Sequence, residues 1–407
     1  MFSGLSHLAC SKCAKTYEAR TRRQMCDCGA PLFARYHLDE LRGKFKKTTI
    51  SQRPQNLWRY HELLPVTNER AIISMSEVMT PLIALPKTAQ ALDLPNLWVK
   101  DESVLPTGTF KARGASVGIS RAHELGITEI ALPTNGNAGA AWAAYAARSG
   151  LKSVIALPKT APRIPYLECC YAGAKVEVVE GTIAQAGILI AEYVKRTNAY
   201  EVSTFKEPYR LEGKKTIGFE IAEQFNWSVP DVIVYPTGGG AGVVGIYKAF
   251  IELQALGFIE QRLPRMAIIQ ATGCAPLVRA FEQGQRESRY FEDAQTIAYG
   301  MRVPKALADE IILEIIRETR GIACAVTDEE IRDERARILQ VDGFHACPEG
   351  AAALAGVRKL RELNFIKDSD RVVSINTGSG LKYMEQVEWA QRIGEKESLT
   401  DCQAVRP

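Results

Sequence analysis

The sequence is short of several things that would place it at once. No segment of its 407 residues supplies the eighteen or so consecutive apolar residues of a membrane-crossing helix. The opening MFSGLSHLAC lacks the basic, apolar and small-residue regions of a secretory signal, so a cytoplasmic protein is expected. No basic run with interleaved aromatics occurs, and a net charge of +4 is mild for this length, which argues against nucleic acid and for small-molecule partners. No GxxxxGK[ST] stretch is present, which removes an ATP-type P-loop. Fixed-period repeats and low-complexity tracts are missing too. What remains is an ordinary globular composition, 46% hydrophobic and 24% charged with 31 glycines, in a chain long enough for more than one domain.

Ten cysteines spread through a long intracellular chain read mostly as reduced core residues, Cys169 and Cys170 for instance. The first four differ. Cys10 and Cys13 form a CxxC pair, and Cys26 and Cys28 a CxC pair before a glycine. They either complete a tetrahedral structural zinc site, stapling a ribbon too small to fold on its own core, or stay free thiols. The one-residue spacing of the second pair departs from the usual ribbon pattern. His7 and His37 are substitute ligands within reach in sequence.

After residue 95 the chain alternates short β-branched runs with longer helical stretches. LWVK (97 to 100), EIAL (129 to 132), SVIAL (153 to 157), KVEVV (175 to 179), DVIVYP (231 to 236), MAIIQ (266 to 270) and VVSIN (372 to 376) are expected as buried strands. This is the α/β pattern of parallel-rich sheets flanked by helices. Between 110 and 125, Ala112, Ala115, Ile119, Ala122 and Leu125 share one helical face, and Gly126 marks a stop.

Ligands in such sheets bind in the turns beyond the carboxyl ends of the strands. PTGTFK, PTNGNAG, PTGGGAG and NTGSG carry the glycine, hydroxyl and amide chemistry for that task. In PTGGGAG, backbone N–H groups of Gly238, Gly239, Gly240, Ala241 and Gly242 at a helix start form an anion site suited to phosphate. Gly240, Gly242 and Gly245 also satisfy GxGxxG, but the following MAIIQATG has Gln270 and Ala271 where a ribose-binding carboxylate belongs, which sets a dinucleotide aside. Lys111 stands at a helix start, where the helix dipole opposes its charge and lowers its pKa, as Schiff-base chemistry requires. Taken singly, Lys111 could be a solvated lysine, Asn137 an N-cap and Thr377 a cap of the last helix. Together, a lysine, a phosphate cradle, an amide and a hydroxyl at strand ends describe a site for pyridoxal 5'-phosphate (PLP).

On these motifs the sequence resembles the fold type II PLP-dependent enzymes, and within them the threonine synthase family. The similarity runs from about residue 75 to 385 and is closest in PTGTFKARG, EPYRLEGKKTIGFEIAEQF, PTGGGAG and NTGSGLK. The resemblance implies that Lys111 forms the Schiff base with the cofactor, that Asn137 bonds its 3'-oxygen, that the amides of Gly238 to Gly242 hold its phosphate, and that Thr377 faces its ring nitrogen. It implies a large domain from 39–114 and 216–393 and a small inserted α/β domain over 115–215; the cysteines themselves mark a Cys-rich ribbon over 1–38, and the polarity of the last residues a frayed tail at 394–407. Homodimers are common among such relatives. Many of them carry serine or threonine at both positions before GN. This chain has Thr134 and Asn135 in that loop, which by resemblance receives the amino acid's carboxylate.

The activity so implied is conversion of O-phospho-L-homoserine and water to L-threonine and phosphate. Arg210, Lys214 and Lys215, with Arg113 near Lys111, offer cations for the substrate's phosphate; a solvated helix face carrying Glu212 is the other reading of that segment. Cys347, Pro348 and Glu349 read as a helix start. Rival activities are a serine or threonine dehydratase, a replacement enzyme acting on phosphoserine, or a metabolite-binding protein without catalysis.

Overall fold

The computed structural model describes residues 2–386. The expected tail at 394–407, and 387–393 of the expected large domain, lie outside the described residues. The strands are β1 (Leu5–Cys10), β2 (Thr16–Glu18), β3 (Leu32–Tyr36), β4 (Leu82–Ala84), β5 (Leu97–Asp101), β6 (Glu129–Pro133), β7 (Lys152–Pro158), β8 (Lys175–Val179), β9 (Tyr200–Glu201), β10 (Val232–Pro236), β11 (Arg265–Ala271), β12 (Ile322–Val326) and β13 (Val372–Asn376). They form three sheets. One is an antiparallel ribbon of order β2-β1-β3, one has the order β12-β11-β10-β13-β5-β4, and one the order β8-β7-β6-β9. The six-stranded sheet is parallel except for β4, and the four-stranded sheet is parallel throughout.

All seven anticipated strands are present within a residue or two of their ends, but β8 is not the buried strand expected: it lies at the edge of its sheet with no residue buried. β10 and β13 are buried at every position, as unbroken apolar runs covered by helices on both faces should be. IACAV of β12 escaped notice because alanine and cysteine dilute its β-branched signal. Cys169 is a core residue as expected, whereas Cys170 is exposed, because successive residues of a helix project about 100° apart.

Helix Lys111–Glu124 packs Ala112, Ala115, Ile119 and Ala122 into a core shared with β6 and β7. Helix Tyr209–Gln224 is buried at every residue from Tyr209 to Ala222. The solvated-face reading of EPYRLEGKK is therefore wrong: this helix is sandwiched between the Lys111–Glu124 and Ala241–Ala255 helices. Glycines permit the approach. A Cβ on Gly213 would overlap the Arg113 carbonyl, and one on Gly218 would lie 2.7 Å from Ala249 Cβ.

Charges along this seam are buried in pairs. Arg113 donates to Glu102 at 2.6 Å and to Glu220 at 2.5 Å, while Lys100 reaches Glu220 at 2.7 Å. On the opposite side Lys215 pairs with Glu212 at 2.5 Å and Glu252 at 2.8 Å. Arg113 and Lys215 are thus consumed as structural ions, and the expectation that they could hold a substrate phosphate is corrected.

Candidate active site

Pro106–Gly108 forms a tight turn in which Thr107 and Gly108 adopt φ of 60° and 63°. The turn is stitched to the segment after β13: Phe110 N donates to Thr377 O at 3.0 Å, and Ser379 N to Gly108 O at 2.8 Å. Lys111 and Thr377 are thereby brought side by side from positions far apart in sequence. Beyond β10, Gly240 has φ 77° and precedes helix Ala241–Ala255. The amides of Gly238, Gly239 and Gly240 donate to no protein acceptor among the described residues, and a Cβ on Gly242 would overlap Tyr235 Oη. These are the properties of a backbone anion cradle.

One cavity is lined by Lys111, Asn137, Arg210, Lys214, Gly238 to Gly242, Cys347, Glu349, Thr377 and Tyr383. It opens to a wider chamber that shares Lys111, Asn137 and Arg210 and adds Thr134, Asn135, Tyr299 and Leu307. Asn137 opens helix Asn137–Ser149 as its first residue; the cap position belongs to Gly136, so the N-cap reading of Asn137 does not hold. Its Nδ2 donates to Tyr383 Oη at 2.6 Å, while its Oδ1 is buried without a hydrogen-bond partner. A half-turn of the amide would exchange these roles and aim the donor into the cavity. Thr377 Oγ1 lies 3.6 Å from Cys347 Sγ.

The electrostatics are dominated by cations. Burial lowers the Lys111 amine to about 8, assisted by Arg210 and resisted by Glu349 and Cys347. The sequence attributed this lowering to the helix dipole; desolvation is the larger cause here. Lys214 is also driven well down, by burial first and then by Lys111 and Arg210. Both amines sit over the Phe110 ring, at 4.2 Å and 4.8 Å from its centroid. Lys214 is 4% exposed and has no ion pair or hydrogen bond among the described residues. Arg210 donates to Thr204 Oγ1 at 2.8 Å and lies 3.7 Å from Glu207. Two buried cations, one turn apart on one helix, therefore face the cavity short of anions.

The 134–139 loop is held by its own side chains. Thr134 Oγ1 accepts from Gly136 N at 3.0 Å and Gly139 N at 3.1 Å. Asn135 Nδ2 donates to Tyr299 O at 3.2 Å and Arg302 O at 2.8 Å, and its Oδ1 is buried without a partner. Both residues border the wider chamber rather than the lysine cavity. Among the residues of the cavity wall that sequence reasoning missed are Cys347, Glu349 and Tyr383. Cys347 caps helix Pro348–Glu362 as expected of a helix start, yet it and Glu349 also face the cavity. Tyr383 follows NTGSG, and nothing in its local pattern marks it.

At the other end of the chain, the Sγ atoms of Cys10, Cys13, Cys26 and Cys28 all lie within 4.8 Å of one another. The amides of Lys12 and Cys13 donate to Cys10 Sγ at 3.3 Å and 3.4 Å. Two tight turns thus present four sulfurs to one point.

The sequence profile of the family described as "Pyridoxal-phosphate dependent enzyme" matches residues 73–378. The threonine synthase of Methanocaldococcus jannaschii is 37% identical over 374 residues, covering 92% of this chain and 92% of that protein. The threonine synthase of Methanosarcina acetivorans is 35% identical over 378 residues, again covering 92% of each. Among solved structures, the processed threonine deaminase isoform 2 of Solanum lycopersicum shares the fold with a TM-score of 0.64 at 20% identity, covering 83% of this chain and 96% of that one.

Proposed function

The chain belongs to the pyridoxal-phosphate dependent enzyme family, and from that premise we propose that it acts as a threonine synthase, converting O-phospho-L-homoserine and water to L-threonine and phosphate. The observation that carries the reading is a lysine held near neutrality beside a glycine amide cradle, with two further buried cations, Arg210 and Lys214, in the same cavity. The residues present fit PLP: free amides at Gly238 to Gly240 for its phosphate, an unsatisfied amide at Asn137, and a hydroxyl at Thr377. Lys111 would hold it through its amine. When bound, the cofactor supplies the electron sink for bond making and breaking at Cα, Cβ and Cγ of the substrate.

The chain's own groups do the rest. The freed Lys111 amine takes the proton from Cα, a task for which a pKa near neutrality suits it. Arg210 and Lys214 hold the substrate's phosphate, and Phe110 and the packed helix behind them keep water from competing for both cations. The side chains of Thr134 and Asn135 shape the loop that receives the amino acid's carboxylate, and the loop's amides do the binding.

The same reading takes the four N-terminal cysteines as a structural zinc site, supported by their convergence. It takes the protein as a cytoplasmic homodimer. It also divides the chain into a ribbon, a large domain and a small inserted domain, with the three sheets in support. The test is the reaction itself. Purified protein loaded with PLP should release phosphate and threonine in equal amounts from O-phospho-L-homoserine, and Lys111→Ala should abolish both. Threonine formation retained by that variant, or none from the parent, would overturn the proposal.

A further inference from the structure

Glu349 is the one carboxylate on the walls of the cavity and its adjoining chamber among the described residues. It stands in the first turn of helix Pro348–Glu362. The residue is 4% exposed. Its two oxygens have different fates. Oε1 accepts the Gly300 amide at 2.7 Å and lies 3.5 Å from the Tyr383 hydroxyl, which in turn accepts from Asn137. Oε2 is buried and has no hydrogen-bond partner. A carboxylate needed only to hold the Gly300 loop or to cap a helix dipole would be served by Oε1 alone. Burying the second oxygen without a donor is costly, so its donor is expected to come from something that enters the cavity.

The reaction under "Proposed function", on which this inference rests, needs such a group. Lys111 is assigned the proton from Cα, Arg210 and Lys214 are assigned the substrate's phosphate, and burial pushes the Cys347 thiol up to about 12 and the Tyr235 and Tyr383 phenols well above their usual value. We propose that Glu349 is the catalytic base for the water that adds at Cβ. As the water oxygen bonds to Cβ, its O–H bond breaks and the proton passes to Oε2. The electron pair displaced from Cβ is taken into the cofactor's sink. Phosphate has left Cγ before water adds, and the carboxyl then gives its proton to that released phosphate, which goes as hydrogenphosphate, so Glu349 ends each turnover without the proton. The Gly300 amide is its positioning partner, fixing Oε1.

The prediction concerns which product forms. If water is not delivered to Cβ, the unsaturated amino acid left by loss of phosphate escapes and hydrolyses to 2-oxobutanoate and ammonia, consuming one water just as threonine formation does. The experiment compares parent and Glu349→Gln, both loaded with PLP and supplied with O-phospho-L-homoserine, and measures phosphate, threonine, 2-oxobutanoate and ammonia. The glutamine keeps an oxygen for the Gly300 amide. Threonine per phosphate is expected to fall by about 10²-fold or more, the usual contribution of a general base, with 2-oxobutanoate and ammonia in its place. The visible absorption spectrum of the bound cofactor and the unfolding midpoint should match the parent's. Should Glu349→Gln fail to fold, Glu349→Ala supplied with formate should regain threonine per phosphate. An unchanged product ratio, all products falling together, or no recovery with formate would overturn the proposal. A parent that makes no threonine would instead overturn the functional reading, and this proposal with it.

Discussion

The ionisation of Lys111 can be tested without the cofactor. Its amine is lowered from the usual 10.5 to about 8, by burial first and by Arg210 second. At about 1.36 kcal/mol per unit, that is a penalty of about 3 kcal/mol against the ammonium. At neutral pH about one amine in ten is then neutral, against about one in three thousand for an ordinary lysine. The sign of the linkage follows. The unfolded chain holds this proton up to the usual value and the folded chain only up to about 8, so between the two the folded state gains stability as pH rises, and below about 8 it carries the full penalty. The assay is arylation of apoprotein by fluorodinitrobenzene across pH from about 6 to about 10, with Lys111 labelling read by mass spectrometry, since only the neutral amine reacts. The midpoint should fall near 8 and should rise in Arg210→Met, while staying below that of an exposed lysine because burial persists. A midpoint at the ordinary value, or one indifferent to Arg210, would refute the electrostatic account.

Arg210→Ala should raise KM for O-phospho-L-homoserine by about 10- to 100-fold, the loss of about 1.5–3 kcal/mol from charged hydrogen bonds to phosphate, and an unchanged KM in steady-state kinetics would remove Arg210 from the phosphate site. Glu220→Gln strips the shared partner from Arg113 and Lys100, both fully buried. Urea unfolding should show a loss of about 3–5 kcal/mol, and a loss under about 1 kcal/mol would mean that Glu102 and Thr80 compensate. Metal analysis should find one zinc for each chain, lost in Cys26→Ser with a lower unfolding midpoint. Metal-free protein that unfolds at the same temperature would leave the four cysteines as free thiols.

Much of this molecule was written in local patterns. The inner strands of the two larger sheets, β10 and β13 among them, are short apolar runs that need burial on two faces. The glycines after β10 and the lysine at the head of its helix were legible because a close backbone approach and a helix start each demand particular residues at particular spacings. Tertiary structure decided what those patterns leave unmarked. Arg210 and Lys214 reach the cavity while Lys215, the next residue, turns into an ion cluster with Glu212 and Glu252. A helix buried all round has no polar face, so its periodicity cannot say which of its cations serves which neighbour. Arg113 is set among glutamates by residues far from it in sequence, Glu102 excepted. Glu349 and Tyr383 join the site only through the packing of separate segments around β13, and the low pKa of Lys111 comes mainly from the burial this packing imposes. Sequence alone determined seven of the strands, the cradle and the position of the lysine, because each is a demand of nearby backbone. The tertiary structure decided which charges face the cavity and how strongly each holds its proton, because desolvation and long-range pairing exist only once the chain has closed around them.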